Sequence, residues 1–166
     1  MKQKLFFDFI VNKENNTIHI IREFNSNLST VWKAWTTAEL LDKWWGPKPW
    51  RAETKFMDFN EGGYWLYAMV SPEGERHYSK ASFLSIVVEK SFTSKGGFSD
   101  ENGVINTDFP QNLWENTFIQ QDDKVTVDML LTFDSLSDLE AEIKMGFKEG
   151  MTIDLNQLDE LLEKLN

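Results

Sequence analysis

Between residues 124 and 133 the chain reads KVTVDMLLTF, and Val125, Val127, Met129, Leu131 and Phe133 occupy every second position. A strand turns successive side chains to opposite faces, so this period of two predicts a strand with one apolar face. Related segments recur along the chain. LFFDFIV (5–11) and TIHIIREF (17–24) flank Asn15-Asn16, a good turn pair, and predict a hairpin. In YWLYAMV (64–70), Trp65, Tyr67 and Met69 alternate with Tyr64, Leu66 and Ala68. WENTFIQ (114–120) pairs with 124–133 across Asp122-Asp123. AETKFMDF (52–59) adds a further strand, and HYSKASFLSIVVEKSF (77–92) reads as one long or bent strand after the SPEGE turn. Residues 95–112 are polar and glycine-rich and read as a long loop, which leaves a meander of about five or six strands.

Two segments change period. In SNLSTVWKAWT, Leu28, Val31 and Trp35 recur at helical spacing behind a capping Asn27 or Ser29. Thr36 and Glu39, three apart, have the spacing of a capping box and start a second short helix. Gly46 and Pro47 end that helix, Gly46 by adopting a left-handed cap and Pro47 by blocking continuation. From Ser137-Asp138-Leu139-Glu140, a second box, Ile143, Phe147, Met151, Leu155, Leu158, Leu162 and Leu165 recur at three or four. The spacing predicts one long amphipathic helix, or two with a break near Gly150. Gly146 and Gly150 lie one turn apart and leave that strip without side chains. A curved antiparallel sheet wrapped round its last helix lets each bury its apolar face against the other. The fold class expected is therefore α+β, with residues 1–166 as a single domain and strand 5–11 as an N-terminal extension.

Composition narrows the function classes. There is no cysteine, so no disulfide framework or thiolate zinc site exists. The formal net charge of −10, with scattered Lys and Arg, argues against nucleic acid as a partner. The acidity is heaviest from Asp138 to Glu163, including Glu140, Glu142, Glu149, Asp159 and Glu160, and reads as a solvated helix face. The apolar run after Lys2 and Lys4 is short, contains Asp8 and lacks a small-residue cleavage site. A cytoplasmic protein without membrane association, and a monomer or weak dimer, is expected. His19 and His77 stand alone, outside any metal-binding spacing, and His19 is read as structural. No nucleophile elbow, phosphate loop or dinucleotide fingerprint occurs, so neither catalytic residues nor a metal or cofactor is expected.

Aromatic surface stands out, with 13 Phe, 7 Trp and 3 Tyr. Either the core is aromatic throughout, or the sheet is held off the last helix around a cavity. We take the cavity as the expectation, with Trp35, Trp44, Trp65, Tyr67, His77, Met129, Phe147 and Met151 as candidate ligand-binding residues. Trp65 and Tyr67 should then face Phe147 and Met151 while Tyr64 and Leu66 point away. Trp35 and one of Trp44 or Trp45 should close the mouth.

Four stretches taken in order, REFNSNLSTVWKAWTTAELLDKWWGPKPW (22–50), MDFNEGGYWLYAMVSPEGERHY (57–78), GGFSDENG (96–103) and MGFKEGMTIDLNQLDELL (145–162), resemble the family of activator of heat-shock-protein-90 ATPase homologues. That family lies within the START-like (SRPBCC, helix-grip, Bet v 1-like) superfamily. The resemblance implies a helix-grip fold, and it implies that Trp44-Trp45-Gly46-Pro47 forms the corner where the chain returns to the sheet. It carries over no catalytic set. The superfamily implies a cavity for a small apolar molecule, whereas the family's namesake implies a chaperone partner and a link to stress response. Binding of a small hydrophobic or aromatic ligand is the first expectation, a co-chaperone-like interaction module the second, and a cyclase or hydrolase the third.

Overall fold

The computed structural model describes residues 5–166; Lys2 and Lys4, used above in judging the N-terminus, lie outside the described residues. Twelve elements follow in chain order. The hairpin is β1 (Phe7–Asn12) and β2 (Thr17–Phe24), and the short helices are α1 (Leu28–Thr36) and α2 (Ala38–Trp44). The meander comprises β3 (Arg51–Met57), β4 (Tyr64–Val70), β5 (Arg76–Val87), β6 (Ser91–Ser99), β7 (Gln111–Gln121) and β8 (Lys124–Phe133). Two helices, α3 (Leu136–Lys144) and α4 (Phe147–Leu165), end the chain. All the strands form one antiparallel sheet in the order β1-β2-β8-β7-β6-β5-β4-β3. The helix pair α1–α2 therefore carries the chain from β2, near one edge, to β3 at the other.

The α+β helix-grip architecture agrees with the sequence pattern, but several details differ. The sheet has eight strands because residues 77–92 reverse direction. Lys90 N–H bonds Val87 C=O at 2.9 Å, and Glu89 takes a left-handed conformation with φ 59°. No Gly or Pro marks that turn, which hides it in a run of strand-forming residues. The expected loop 95–112 is strand at both ends: Gly96 lies opposite both Ala81 and Asn112 inside the ladder. Neither predicted capping box forms. The hydroxyls of Thr36 and Thr37 donate back to Trp32 C=O and Lys33 C=O, so they satisfy the end of α1 instead of the start of α2. At α3 the cap is Ser135, which accepts from Asp138 N–H at 3.1 Å, two residues before the predicted position. The C-terminal helix breaks at Gly146 (φ 90°), not at Gly150, which continues inside α4 against Pro47. The two glycines therefore do not form one bare helical strip.

The core is solid on one side. Val125, Val127, Met129 and Leu131 of β8 and Ile18 and Ile20 of β2 are fully buried, as are Leu155 and Leu158 of α4. At about 1.5–3 kcal/mol for each fully buried large apolar side chain, this block supplies the main attraction between helix and sheet. The α1 end of the molecule continues it with Trp32, whose ring meets Phe59, Phe92 and Phe118 edge-on.

The Trp-Trp-Gly-Pro corner joins α2 to β3. Trp44 is fully buried and donates Nε1–H to Ala34 C=O at 2.8 Å. Gly46 has φ 111°, and a Cβ there would stand 2.7 Å from the Ala52 nitrogen. Both the conformation and the space demand glycine. Gly46→Ala should therefore destabilise the protein by about 2–4 kcal/mol, a fall in Tm of roughly 5–15 °C. Thermal unfolding followed by circular dichroism checks this; a Tm within about 2 °C of wild type would show that the corner bears no such constraint.

Candidate functional site

Away from β8 the sheet and the helices part. Between the inner faces of β4–β7 and the helices lies a cavity of about 940 Å³. Each strand contributes alternate residues: Trp65, Tyr67 and Met69 from β4, and His77, Ser79, Ala81 and Phe83 from β5. β6 gives Phe92, Ser94, Gly96 and Phe98, and β7 gives Asn112, Trp114 and Asn116. Ala81 lies opposite Gly96, with Ser79 and Ser94 two residues away on the same face of their strands, and all four are too small to reach the helices, so the space stays open. Glu142, Met145, Phe147, Met151 and Asp154 form the helical wall, and Trp45, Pro47 and Trp50 close the end near the corner.

Of the residues proposed from sequence, Trp35, Trp65, Tyr67, His77, Phe147 and Met151 surround this space. Trp44 and Met129 do not, and both belong to the packed core. Trp44 faces back into α1, its ring 4.8 Å from that of Trp35, and leaves the cavity wall to Trp45. Met129 lies on β8, where α4 and its neighbours cover the sheet completely. Tyr64 and Leu66 lie outside the cavity, on the opposite face of β4, where Tyr64 packs on Phe56. Trp35 sits deep, 4% exposed, and is not a lid. At the mouth instead are Trp50 and the exposed His77, with ring centroids 5.6 Å apart. His19, on the far side, lies 2.8 Å from Asp128 and serves the sheet.

Several wall residues escaped the sequence reading. The spacings S-x-A-x-F (79–83) and F-x-S-x-G (92–96) signal small residues on an inner face, once β5 and β6 are recognised as separate strands. Asp154 falls three after Met151 and four before Leu158, on the apolar stripe of α4. That position foretells burial, and Asp154 is 4% exposed. Glu142, assigned to a solvated face, instead borders the cavity; the turn made at Gly146 lays the end of α3 across its rim.

These two carboxyl groups are held in an unusual state. Burial pushes Asp154 up to about 8, against a smaller opposing pull from Gly46 N–H, which Oδ1 accepts at 3.1 Å. Burial pushes Glu142 up to about 7. The Tyr67 hydroxyl, pushed up to about 12 chiefly by burial, accepts from Trp45 Nε1–H at 3.1 Å and bonds Ser79. Asp154 and Glu142 both lie near enough to raise it further. Trp65 donates Nε1–H to Thr54 Oγ1 at 3.0 Å, and that hydroxyl donates to Asp42 Oδ1 at 2.6 Å. Trp35 Nε1 and Asn116 Oδ1 are buried without a hydrogen-bond partner among the described residues. Both residues line the cavity.

A curved antiparallel sheet that grips a C-terminal helix and leaves a cavity beneath it defines the helix-grip class of START-like proteins. The sequence profile described as Activator of Hsp90 ATPase homolog 1-like protein matches residues 25–163, and the chain belongs to that family. Solved structures agree. A Mycobacterium smegmatis protein, 28% identical, superposes with a TM-score of 0.86 over 96% of this chain and 97% of its own. An Arthrobacter aurescens protein, 25% identical, gives 0.89 over 95% and 91%, and one from Staphylococcus epidermidis, 27% identical, gives 0.82 over 94% of both. No curated protein matches the sequence. Among the described residues no helix is long and apolar enough to cross a membrane.

The raised carboxyls make stability depend on pH. Unfolded Asp154 releases its proton near 3.8, whereas folded Asp154 keeps it up to about 8. Between those values the folded state holds the extra proton, so stability falls as pH rises through the interval. Glu142 acts in the same direction between 4.5 and about 7. Asp154→Asn keeps the acceptor for Gly46 and removes the titration. Its stability relative to wild type should rise on going from about pH 5 to about pH 8.5, by on the order of 4 kcal/mol or roughly 8–16 °C in Tm. A Tm difference that does not change with pH would contradict the assignment.

Proposed function

We propose that the protein binds a small apolar or aromatic molecule in the cavity between β4–β7 and the helices α3 and α4. The observation that carries this reading is a cavity of about 940 Å³ that contains buried, unpartnered polar atoms on Trp35 and Asn116. Ligand sites run to about 300–1,000 Å³ and combine apolar walls with a few placed polar groups. A buried donor or acceptor left unmade costs about 1–3 kcal/mol, so two of them in one cavity favour an occupant that satisfies them. The chaperone-partner reading raised by the family description would place function on the outer surface. The unpartnered groups lie inside.

Native mass spectrometry of the purified protein, followed by solvent extraction, should find an organic molecule bound or a site open to one. Titration with apolar compounds should change tryptophan fluorescence, because Trp45, Trp50, Trp65 and Trp114 all line the cavity. Ala81→Phe places a ring in the space above β5. It should weaken binding at least about tenfold while moving Tm by less than about 3 °C. Full retention of binding in Ala81→Phe would place the ligand elsewhere, and the absence of any bound or bindable molecule would overturn the reading.

A further inference from the structure

The cavity is aromatic at one end, and that end holds two acids. Trp45 is central to it: its ring lies 5.8 Å from Trp65, 6.5 Å from Tyr67 and 5.9 Å from Trp114. Trp65 and Tyr67 stack at 4.0 Å, and Trp114 meets Phe147 at 6.1 Å. Asp154 and Glu142 enter the same wall from α4 and α3. Among the described residues neither carboxyl group has a cationic partner within ion-pair distance, and the one hydrogen bond to Asp154 comes from Gly46 N–H.

Positive charge at the border is engaged elsewhere. Arg76 bonds Glu53 at 3.0 Å, His77 stands 3.5 Å from Glu75, and the Lys80 ammonium lies 4.7 Å from the Tyr64 ring centroid. Because Tyr64 faces away from the cavity, that ammonium does too. Asp100, the remaining acid at the border, accepts the Asn102 and Val104 N–H groups of its own loop. The wall thus has anionic capacity and π faces with no positive charge to complement them. An anionic ligand would meet two acids and no available base. The electron-rich faces of Trp and Tyr attract cations, most strongly where water is excluded.

We infer that the ligand is an organic cation, an ammonium or quaternary ammonium on an apolar or aromatic body, with its charge between Glu142 and Asp154 and among the rings of Trp45, Trp65, Tyr67, Trp114 and Phe147. The inference rests on the cavity reading above and specifies the class of its occupant. The Asn116 oxygen, 3% exposed and unpartnered, gives the apolar body a second polar anchor deeper in the same space. The net charge of −10 assists by drawing cations toward the protein. On binding, the cation shifts both carboxyl groups toward their ionised forms, so affinity rises with pH until both are ionised.

The test compares three probes that share one apolar body: decyltrimethylammonium, decanol and decanoate, each below its micellar concentration, by isothermal titration calorimetry and tryptophan fluorescence. The cation should bind at least roughly tenfold more tightly than decanol, and decanoate most weakly. The charge of the quaternary ammonium does not depend on pH. Its affinity should therefore rise between about pH 6 and 9, where Glu142 and Asp154 titrate. Asp154→Asn and Glu142→Gln, made singly so that one folded variant suffices, should each reduce the preference and flatten the pH profile. His19→Ala, on the far side of the sheet, should leave both unchanged. Equal or tighter binding of decanol or decanoate, or a preference that survives both carboxamide variants, overturns the inference and leaves the cavity reading standing. If none of the three binds and nothing co-purifies, the cavity reading falls and takes this inference with it.

Discussion

The position of α4 depends on the backbone of one corner. Where α2 gives way to β3, Gln157 Nε2–H donates to both Trp44 C=O and Gly46 C=O at 2.9 Å, while Gln157 Oε1 accepts from Lys48 N–H. Asp154 takes Gly46 N–H one helical turn away. Peptide groups freed by the end of α2 are thus satisfied by two side chains of α4, so neither partner can move without leaving buried polar atoms unmade. Trp44 and Trp45 diverge from this clasp. One is driven into the core beside Trp35, and the other is turned out as the roof of the cavity. Two large, nearly rigid side chains that point opposite ways just before a fixed glycine are a way to hold a helix at a set height above a sheet.

That height divides the molecule. Over β2 and β8 the helix rests on Ile, Val, Met and Leu at full burial, and the interior is as dense as any core. Over β5 and β6 the inner face shrinks to Ser79, Ala81, Ser94 and Gly96, and the helix does not descend to meet them. An engineered void of this size would be expected to collapse or to cost stability in proportion to its volume. Here the rim of aromatic rings props it: Trp65 on Tyr67, Trp45 on Trp114, Trp114 on Phe147. The surplus of aromatic residues has a structural use, since the rings that keep the cavity open are also its surface.

How much of this was legible in the sequence follows from how local each signal is. The strand 124–133, the N-terminal hairpin, the cap at Asn27 and the end of α2 at Gly46 are set by neighbouring residues, and the pattern revealed them. The turn at Val88–Lys90 escaped because Glu89 adopts a left-handed conformation with no glycine to announce it. Gly96 and Gly97 imitated a loop because glycine in a strand usually weakens it; here the sheet tolerates them inside the ladder. Which face of β4 looks inward followed from its period of two. That Met129 lies under the helix and Ala81 under open space did not, because both sit at inward positions of a strand. The difference depends on where α4 lands, and that is fixed by Gln157 and Asp154, far along the chain from either strand.

The two acids show the same logic in energetic terms. A sequence optimised for stability alone would place an apolar side chain at position 154, between Met151 and Leu158 on the buried stripe. The fold instead holds a carboxyl group there, satisfied at one oxygen by Gly46, and brings Glu142 to the same wall by breaking the helix at Gly146. One polar group in that wall can be explained by the corner clasp. A second, which among the described residues makes no hydrogen bond or ion pair to the same clasp and is supplied by a different helix, cannot. Residues that break a local rule without a structural return are where function is to be sought. By that argument Glu142 is more informative than Asp154, although it is the less buried of the two.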